Sequence, residues 1–417
     1  MKVLMITGGF PLGSETFVSD QVTGLLEAGC DLEVLALRPG DETAFDERSV
    51  ALGVPGRLHR ADLGRSLVSR LLRLPGRLLR VARRNPRAAW GLLSPRHPAW
   101  TLNGILAEAA AALPDGPWPR QYDMVHCVFG PSGIVASRLR RAGVLTGPIS
   151  VSFYGYDLTR EPRLRGRDLY REVFEDASWL LPNSTYLASR LHDLGAPPEK
   201  VQVHRLGIET RRFTFFDRAD RPEDRPWIAL AVGRLVEKKG FEDLVRALAA
   251  GDGRLANLVV EIAGDGPLRS RIESLAESLG VPDRVRVLGW LDREGVAAAM
   301  KRADLLVAPS VTAGDGDMEG LPLVIVEAMA TGLPVVGTEH SGIPEAVRDG
   351  ENGRIVPEHA PERLAEAIAE FAKKDRRLEF GRRSHAIAKA DFEHSRLIAD
   401  LLARWRSREP YGNAAGR

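Results

Sequence analysis

Short apolar runs rich in β-branched residues alternate along the chain with segments whose apolar residues recur at helical spacing. This alternation is typical of parallel sheets that are covered by helices on both faces. The runs that predict strands in the first half are 3–6, 32–37, 123–128, 149–153, 179–181 and 201–203. Those in the second half are 227–232, 258–263, 285–288, 305–308, 334–337 and 354–356. The pattern therefore predicts an α/β protein with two Rossmann-like, doubly wound domains.

A polar, charged and proline-marked stretch at 213–226 separates the two series of strands and predicts an exposed linker. We expect one domain over 1–210 and a second over 211–390. Ligands of open parallel sheets bind outside the carboxyl ends of the strands. The cleft between the two domains is therefore the predicted active site.

The composition narrows the class of protein. A chain of 417 residues, 44% hydrophobic and 27% charged, is long enough for two cores and has the balance of a soluble globular protein. The 58 Lys and Arg residues against 56 Asp and Glu leave a net charge of +2, which gives no support to a nucleic-acid partner. Two cysteines supply neither a disulfide framework nor a zinc site, so we expect a reduced, cytoplasmic protein. Glu327 interrupts the best apolar run, and no membrane span is predicted.

Residues 57–96 depart from the general pattern, with eleven arginines against one acidic residue, Asp62. Leucines recur between the arginines at helical spacing, and Pro75 with Gly76 predicts two short amphipathic helices. Such a segment suits peripheral contact with an anionic membrane, where its leucines would serve as an apolar anchor. A solvated helix face packed on its own domain has the same sequence pattern, so both interpretations stay open.

The strongest candidate chemistry lies around Glu319 and Glu327, which are separated by seven residues. A Gly/Asp loop precedes Glu319, Pro322 suits a first helical turn, and the following residues are apolar. We expect a buried helix, with Glu319 just before it and facing the cleft, and Glu327 about two turns inside. The amino end of such a helix offers unbonded N–H groups and a partial positive charge, which suit a diphosphate. For Glu327 the alternative is an acid paired within the core.

Two other strand ends carry candidate phosphate-binding residues. Arg234 and Lys239 follow a predicted strand, and together they can neutralise a diphosphate, although surface charges at a helix start are the alternative. Gly264 and Gly266 end another strand, where a phosphate loop and a plain tight turn both fit.

These motifs, in this order, resemble the C-terminal domain of retaining family 4 glycosyltransferases, which have the GT-B fold. The resemblance is carried by residues 233–240, 263–268, 288–290, 309–310, 319–327 and 341–345. Residues 10–18 with Gln21 resemble the subgroup that builds bacterial exopolysaccharides, such as colanic-acid-type transferases. The resemblance covers nearly the whole chain.

The resemblance implies a division of labour between an acceptor-binding N-terminal domain and a nucleotide-sugar-binding C-terminal domain. A last helix in 391–417 would pack back on the first domain. The diphosphate of the donor would lie on Arg234 and Lys239, and its ribose on Glu327. Further implied contacts, to the donor sugar and the phosphates, come from Glu319, Gly320, Leu321, Gly13 and Ser14. Neither a metal ion nor a cofactor besides the donor is implied, because cations and a helix terminus supply the positive charge.

The chain departs from the family pattern at two positions. Tyr154 stands where members usually carry a histidine before glycine, and Val128 stands at the place of a second family histidine. A tyrosine can bond a sugar hydroxyl but stays neutral near pH 7, so we list Tyr154 among the catalytic candidates without a titrating role. His126 is expected to be a core residue.

The sequence therefore predicts a cytoplasmic, metal-independent, retaining transferase that moves a sugar from a nucleotide diphosphate to an acceptor hydroxyl. A saccharide or lipid-linked saccharide is the expected acceptor, and a small-molecule acceptor is the alternative. A phosphorylase or epimerase on the same scaffold, and a nucleotide-sugar-binding protein without turnover, also stay open, because a fold does not determine its chemistry.

Overall fold

The structure is a computed structural model, and it describes residues 1–61, 67–92, 105–114, 118–222, 225–251 and 253–407. Parts of three segments singled out above lie outside the described residues. These parts are 62–66 and 93–96 of the arginine-rich segment, 223–224 of the predicted linker, and 408–417 of the C-terminal segment.

The first half of the chain forms a parallel sheet with the strand order β3-β2-β1-β5-β7-β8, beside which β4 pairs with β6. The strands are β1 (Lys2–Phe10), β2 (Asp31–Pro39), β3 (Leu58–Arg60), β4 (Arg120–Gln121), β5 (Met124–Val128), β6 (Leu145–Thr146), β7 (Ile149–Phe153) and β8 (Trp179–Pro182). The helices are α1 (Thr16–Glu27), α2 (Glu47–Ala51), α3 (Leu67–Arg84), α4 (Pro86–Leu92), α5 (Ile105–Ala112), α6 (Gly130–Arg141), α7 (Tyr156–Arg165), α8 (Arg171–Asp176) and α9 (Thr185–Asp193).

The second half repeats this topology with the order β11-β10-β9-β12-β13-β14, again with parallel pairing. The strands are β9 (Trp227–Val232), β10 (Leu258–Ala263), β11 (Val285–Gly289), β12 (Leu305–Ala308), β13 (Val335–Thr338) and β14 (Gly353–Val356). The helices are α10 (Phe241–Ala250), α11 (Arg269–Ser278), α12 (Arg293–Arg302), α13 (Leu323–Ala330), α14 (Ile343–Ala346), α15 (Pro361–Ala369), α16 (Lys374–Asp391) and α17 (His394–Ser407). The predicted fold class, two doubly wound α/β domains, is confirmed.

Helices cover both faces of each sheet, and the side chains of a strand alternate between these two buried faces. In β1, Leu4 and Ile6 join one apolar cluster, whereas Val3 and Met5 join the cluster on the opposite face. The second sheet has the same arrangement, with separate apolar clusters on its two faces. The carboxyl ends of both sheets carry the loops that form the cleft.

The last helix, α17, returns to the N-terminal half of the chain. Its side chains Ile398, Leu401 and Trp405 are buried in the cluster that also contains residues of β1, β2 and α1. The Trp405 ring lies 5.1 Å from the ring of His126 on β5. His126 is fully buried, as expected of a core residue.

Two predicted elements differ from the structure. Residues 201–203 form a single bridge from Val201 to Leu180 rather than a strand. The Gln202 N–H donates to the Leu180 carbonyl, and the next bond to β8 comes from the His204 N–H to the Pro182 carbonyl. Pro75 lies inside one continuous helix, α3, and the break comes at Asn85 instead. A proline removes one backbone hydrogen bond from a helix. The helix continues through Pro75 because most of its neighbours are leucines and arginines, which are strong helix formers. Asn85 accepts a bond from the Ala88 N–H at 3.1 Å, as a residue that caps a new helix does.

From residue 73 onward, the apolar side of α3 packs on its own domain, whereas the side chains of 67–72, which include two of the leucines at helical spacing, lie outside the described residues. Val81 is fully buried and Leu78 packs against the core of the N-terminal domain. Arg77 forms an ion pair with the buried Glu108, with 3.0 Å between Nε and Oε2. From residue 73 onward, the large apolar side chains that α3 and α4 expose are Leu79 and Trp90, which are 54% and 78% exposed. Among the described helices, none combines the length and the apolarity that crossing a lipid bilayer requires.

Because α17 packs on the N-terminal domain, we expect its buried tryptophan to stabilise that domain. Replacing Trp405 with alanine removes a buried indole, and we expect the unfolding free energy of that domain to fall by about 3–5 kcal/mol. Trp90→Ala is the matched control, since Trp90 is mostly exposed and its loss should change stability by about 0.5 kcal/mol or less. Chemical denaturation followed by circular dichroism measures both, and equal stability of the two variants would contradict this packing.

Candidate functional site

The candidate site lies between the two domains, where loops from the carboxyl ends of both sheets meet. On the N-terminal side these are the loop between β1 and α1 and the loop after β7. On the C-terminal side they are the loops that follow β9, β12 and β13. Residues 309–322, between β12 and α13, contact loops of both domains and form the centre of the site.

Glu319 is held at this centre by two lysines. Its Oε1 lies 3.3 Å from Lys239 Nζ and 3.5 Å from Lys238 Nζ, and its side chain is only 14% exposed. Burial would raise the pKa of the Glu319 carboxyl, but the cations of Lys239 and Lys238 outweigh it and lower the pKa to about 2. Glu319 is therefore ionised at any physiological pH.

The backbone of the same loop is held from the other side. The Glu319 N–H donates to Nε2 of His340 at 3.1 Å, and the Gly342 N–H donates to the Gly320 carbonyl at 3.1 Å. Gly320 and Leu321 are buried just before α13, which begins at Leu323. The first turn of α13 therefore begins directly after the loop that carries Glu319, and its N–H groups have no partners earlier in the helix.

Lys239 and Arg234 approach the cleft from the loop after β9. The stem of Lys239 crosses Gly233, where a Cβ atom would lie 2.7 Å from Lys239 Cε. Gly233 has a φ of +151°, so both the contact and the backbone favour glycine there. Arg234 is exposed and faces Glu15 of the N-terminal domain: burial raises the pKa of Glu15, and the Arg234 charge partly offsets that rise.

Glu327 is the fifth residue of α13, which places it just over one turn inside the helix rather than the two turns expected. It is half-buried, and burial raises the pKa of its carboxyl to about 7 although the Arg293 cation lowers it. Arg293 of α12 also joins the two domains, because its guanidinium forms a two-pronged ion pair with Asp20 of α1, with Nη1 and Oδ1 2.8 Å apart.

Tyr154 packs within an aromatic cluster of the N-terminal domain, and its hydroxyl oxygen is buried there rather than exposed to the cleft. Its ring centroid lies 4.8 Å from that of Phe17 and 5.1 Å from that of Phe129. Burial raises the pKa of Tyr154, so the phenol is neutral. Val128, at the other departure from the family pattern, ends β5 fully buried in the apolar core.

Asp157 shapes the loop that carries Tyr154. Its carboxylate accepts the N–H groups of Gly130, Tyr154 and Gly155 at 3.0–3.1 Å. Burial raises the pKa of Asp157 to about 6, and these three bonds oppose the rise. Gly155 has a φ of +144° and meets the Glu319 loop, since a Cβ atom there would lie 2.7 Å from the Met318 carbonyl oxygen.

The remaining predicted residues lie on the rim or support the site. Gly13 and Ser14 are exposed on the loop before α1, and a Cβ atom on Gly13 would lie 3.7 Å from the Trp290 ring. Gly264 and Gly266 pack against the backbone of residues 233–235, and both have φ values above +150°. Both glycines therefore allow the loop after β10 to lie close to the loop after β9.

The structure thus brings Glu319, Lys239 and the amino end of α13 together, with Arg234 across from the β1–α1 loop. Sequence reasoning did not assign four contributors to the site: Lys238, His340, Glu358 and Arg293. The one available signal for His340 was its place directly before the motif at 341–345. No group of three or more His, Cys, Asp or Glu residues within the described ranges is placed to hold a metal ion.

Known protein families match both halves of the chain. A model of the group 1 glycosyl transferases matches residues 213–390, and a model of the glycosyl transferase 4-like domain matches residues 13–207. WcaL of Salmonella typhimurium, named for colanic acid biosynthesis, is 34% identical over 377 residues, which cover 90% of this chain and 91% of WcaL. The chain belongs to the group 1 glycosyl transferases.

Other relatives and solved structures agree with this family. The amylovoran biosynthesis glycosyltransferase AmsK of Erwinia amylovora is 32% identical, over 89% of this chain and 91% of AmsK. HepE of Anabaena, solved with UDP, superposes with a TM-score of 0.70 at 18% identity, over 98% of this chain and 100% of HepE. Sucrose-phosphate synthase of Thermosynechococcus elongatus gives 0.72 at 20% identity, over 98% of each chain. The fold is GT-B, and the chain is a nucleotide-sugar-dependent glycosyltransferase.

Proposed function

We propose that this glycosyltransferase moves a sugar, with retention of anomeric configuration, to a saccharide or lipid-linked saccharide acceptor in bacterial polysaccharide synthesis. The observation that carries the proposal is the Glu319 centre, where a lysine-paired carboxylate lies beside the amino end of α13. Relatives named for colanic acid and amylovoran biosynthesis share nearly the full length of the chain and favour a polysaccharide product.

The positive groups around this centre suit a donor diphosphate. Arg234 is exposed toward the cleft and can fork onto phosphate oxygens. Lys239 pairs with Glu319, and a diphosphate beside it would share that cation. The N–H groups of Gly320 and Leu321 add fixed dipoles at the helix start. Gly13 and Ser14 approach from the opposite wall, and Glu327 takes the ribose.

In the proposed reaction the acceptor hydroxyl attacks the anomeric carbon on the face from which the diphosphate departs. The bond between that carbon and the phosphate oxygen breaks, and the acceptor proton passes to the departing oxygen. Arg234, Lys239 and the helix terminus stabilise the charge that develops on the diphosphate. Glu319 faces the donor sugar, and the buried Tyr154 supports the N-terminal side of the site through its ring contacts.

A small-molecule acceptor is the second candidate. A D-inositol 3-phosphate glycosyltransferase of Catenulispora acidiphila is 32% identical over 327 residues, which cover 68% of this chain and 73% of that relative. The tyrosine at position 154, in place of the family's usual histidine, also distinguishes this cleft from that of typical members. Comparing a lipid-linked saccharide with soluble polyols as acceptors separates the two candidates.

We further propose that the protein works at the cytoplasmic face of the membrane through the outer side of α3 and α4. That side exposes Leu79 and Trp90 beside Arg80, Arg83 and Arg87. Exposed arginines attract anionic lipid headgroups, and an exposed tryptophan suits the headgroup boundary.

The donor site is tested by removing one protein side chain at the ribose and one at the diphosphate. Glu327→Ala and Arg234→Ala should each lower donor affinity or turnover at least tenfold, because a charged hydrogen bond contributes about 1.5–3 kcal/mol. A screen of uridine and guanosine diphosphate sugars, by thermal stabilisation and protein-dependent transfer, first identifies the donor. Arg286→Ala, an exposed residue on β11, is the control. Wild-type activity in both site variants would refute the assignment.

Metal independence is part of the proposal, because the diphosphate charge is matched by side chains and the helix terminus. Transfer in the presence of excess EDTA should equal transfer without it, and added Mg²⁺ should give less than a twofold increase. The measurement is an initial rate with the identified donor. A rate that vanishes with chelator and returns with Mg²⁺ would show that a cation completes the site.

Membrane contact is tested by sedimentation with vesicles that contain anionic lipid. Replacing Arg80, Arg83 and Arg87 with glutamine should weaken binding about 100-fold, since each arginine near such a surface contributes about 1 kcal/mol. Binding by the wild type should also decrease as salt rises, because exposed charges are screened over roughly 8–10 Å.

The matched control replaces three exposed arginines of the C-terminal domain, Arg271, Arg286 and Arg363, with glutamine, which changes the net charge equally. Binding should survive in the control. Wild-type protein that ignores anionic vesicles at low salt, or a control as weak as the test variant, would contradict membrane contact through α3 and α4.

A further inference from the structure

His340, which follows β13, is fully buried and has both ring nitrogens hydrogen-bonded. Nε2 lies 3.1 Å from the backbone nitrogen of Glu319, and Nδ1 lies 2.6 Å from Oε1 of Glu358. The ring thus connects the loop that follows β13 with the loop that precedes α13.

These two partners determine where the ring carries its proton. A backbone N–H can only donate, so Nε2 must be the unprotonated nitrogen that accepts. Nδ1 then carries the proton and donates it to the Glu358 carboxylate. Burial lowers the pKa of His340, although Glu358 opposes this, and the neutral ring fits both bonds.

Glu358 is fixed in turn by a further loop. Its Oε2 accepts the Thr312 N–H at 2.7 Å, and Thr312 lies at the start of the loop that leads to Glu319. One carboxylate and one imidazole therefore tie together both ends of residues 312–319 and the segment after β14.

We propose that His340, oriented by Glu358, is a positioning residue that sets the backbone of Glu319 and Gly320 for sugar transfer. The lysines fix the carboxylate of Glu319, but side-chain torsions leave the peptide plane free to rotate. The bond to His340 removes that freedom, so the N–H groups before α13 keep one direction. This inference rests on the proposed function only in that the Glu319 loop meets the donor.

Two substitutions separate positioning from packing. In His340→Gln the amide oxygen can accept from the Glu319 N–H and the amide nitrogen can donate to Glu358, whereas His340→Leu fills similar space without either bond. We expect the leucine variant to lose at least tenfold in kcat with less than a threefold change in donor KM, because Glu327 and Arg234 still hold the nucleotide. The glutamine variant should stay within threefold of the wild type.

His385 supplies the matched control. Its Nδ1 lies 2.7 Å from the Ala330 carbonyl oxygen, and its ring centroid lies 4.9 Å from that of Phe215 in a tilted contact. The substitutions His385→Gln and His385→Leu should leave kcat within twofold of the wild type. A kcat within twofold of the wild type in His340→Leu, or equal losses in the two His340 variants, would overturn the proposal.

A spectroscopic measurement needs neither a donor nor a variant with full stability. Long-range ¹H–¹⁵N correlation on histidine-labelled wild-type protein, assigned by the signal lost in His340→Gln, should show the tautomer protonated at Nδ1 at pH 7.5. Protonation at Nε2 would overturn the proposal. If no donor is turned over, the proposed function fails, but the tautomer measurement still tests how the His340 ring is hydrogen-bonded.

Discussion

The carboxylate of Glu319 is buried between two domains, and a buried carboxylate persists in its charged form only where cations pair with it. Lys239 and Lys238 supply those cations from the loop after β9, at 3.3 and 3.5 Å. The pairing requires this loop to lie against the loop that precedes α13, and the glycine at position 233 makes room for the lysine stem. The same lysines therefore set both the charge and the shape of the cleft.

The Glu319 loop also joins the domains, so closure and assembly of the site are coupled. The Met318 N–H donates to Thr159 Oγ1 of the N-terminal domain at 3.3 Å. Close by, Glu345 of α14 accepts the Thr185 N–H at the start of α9 at 2.6 Å. Met318 is the residue directly before Glu319 in the chain. A motion that separates the domains must therefore also disturb the loop that carries Glu319.

The sequence was most informative where burial is complete. Strands of a parallel sheet are covered on both faces, so β9 and β12 appear as continuous apolar runs that can be placed without a structure. The turns after β9 and before α13 follow from those strands, which is why Arg234, Lys239 and Glu319 could be assigned to one cleft. Residue-type rules suffice for such local features.

Features that depend on how loops pack were not predictable. The partner of His340 is Glu358, which lies 18 positions away beyond another strand, and no spacing rule connects the two. Periodicity identified the apolar side of α3 but not which surface it covers, and Val81 and Leu78 show that the described part of this side packs on its own domain. Pro75 was treated as a helix break because proline rules are local, whereas the observed break is set by the Asn85 cap.

The most direct test of the central claim is a crystal structure with the nucleoside diphosphate that stabilises the protein most. We expect its diphosphate between Arg234, Lys239 and the amino end of α13, with the ribose on Glu327. A diphosphate bound elsewhere, or a cleft in which these groups contact no part of the nucleotide, would contradict it.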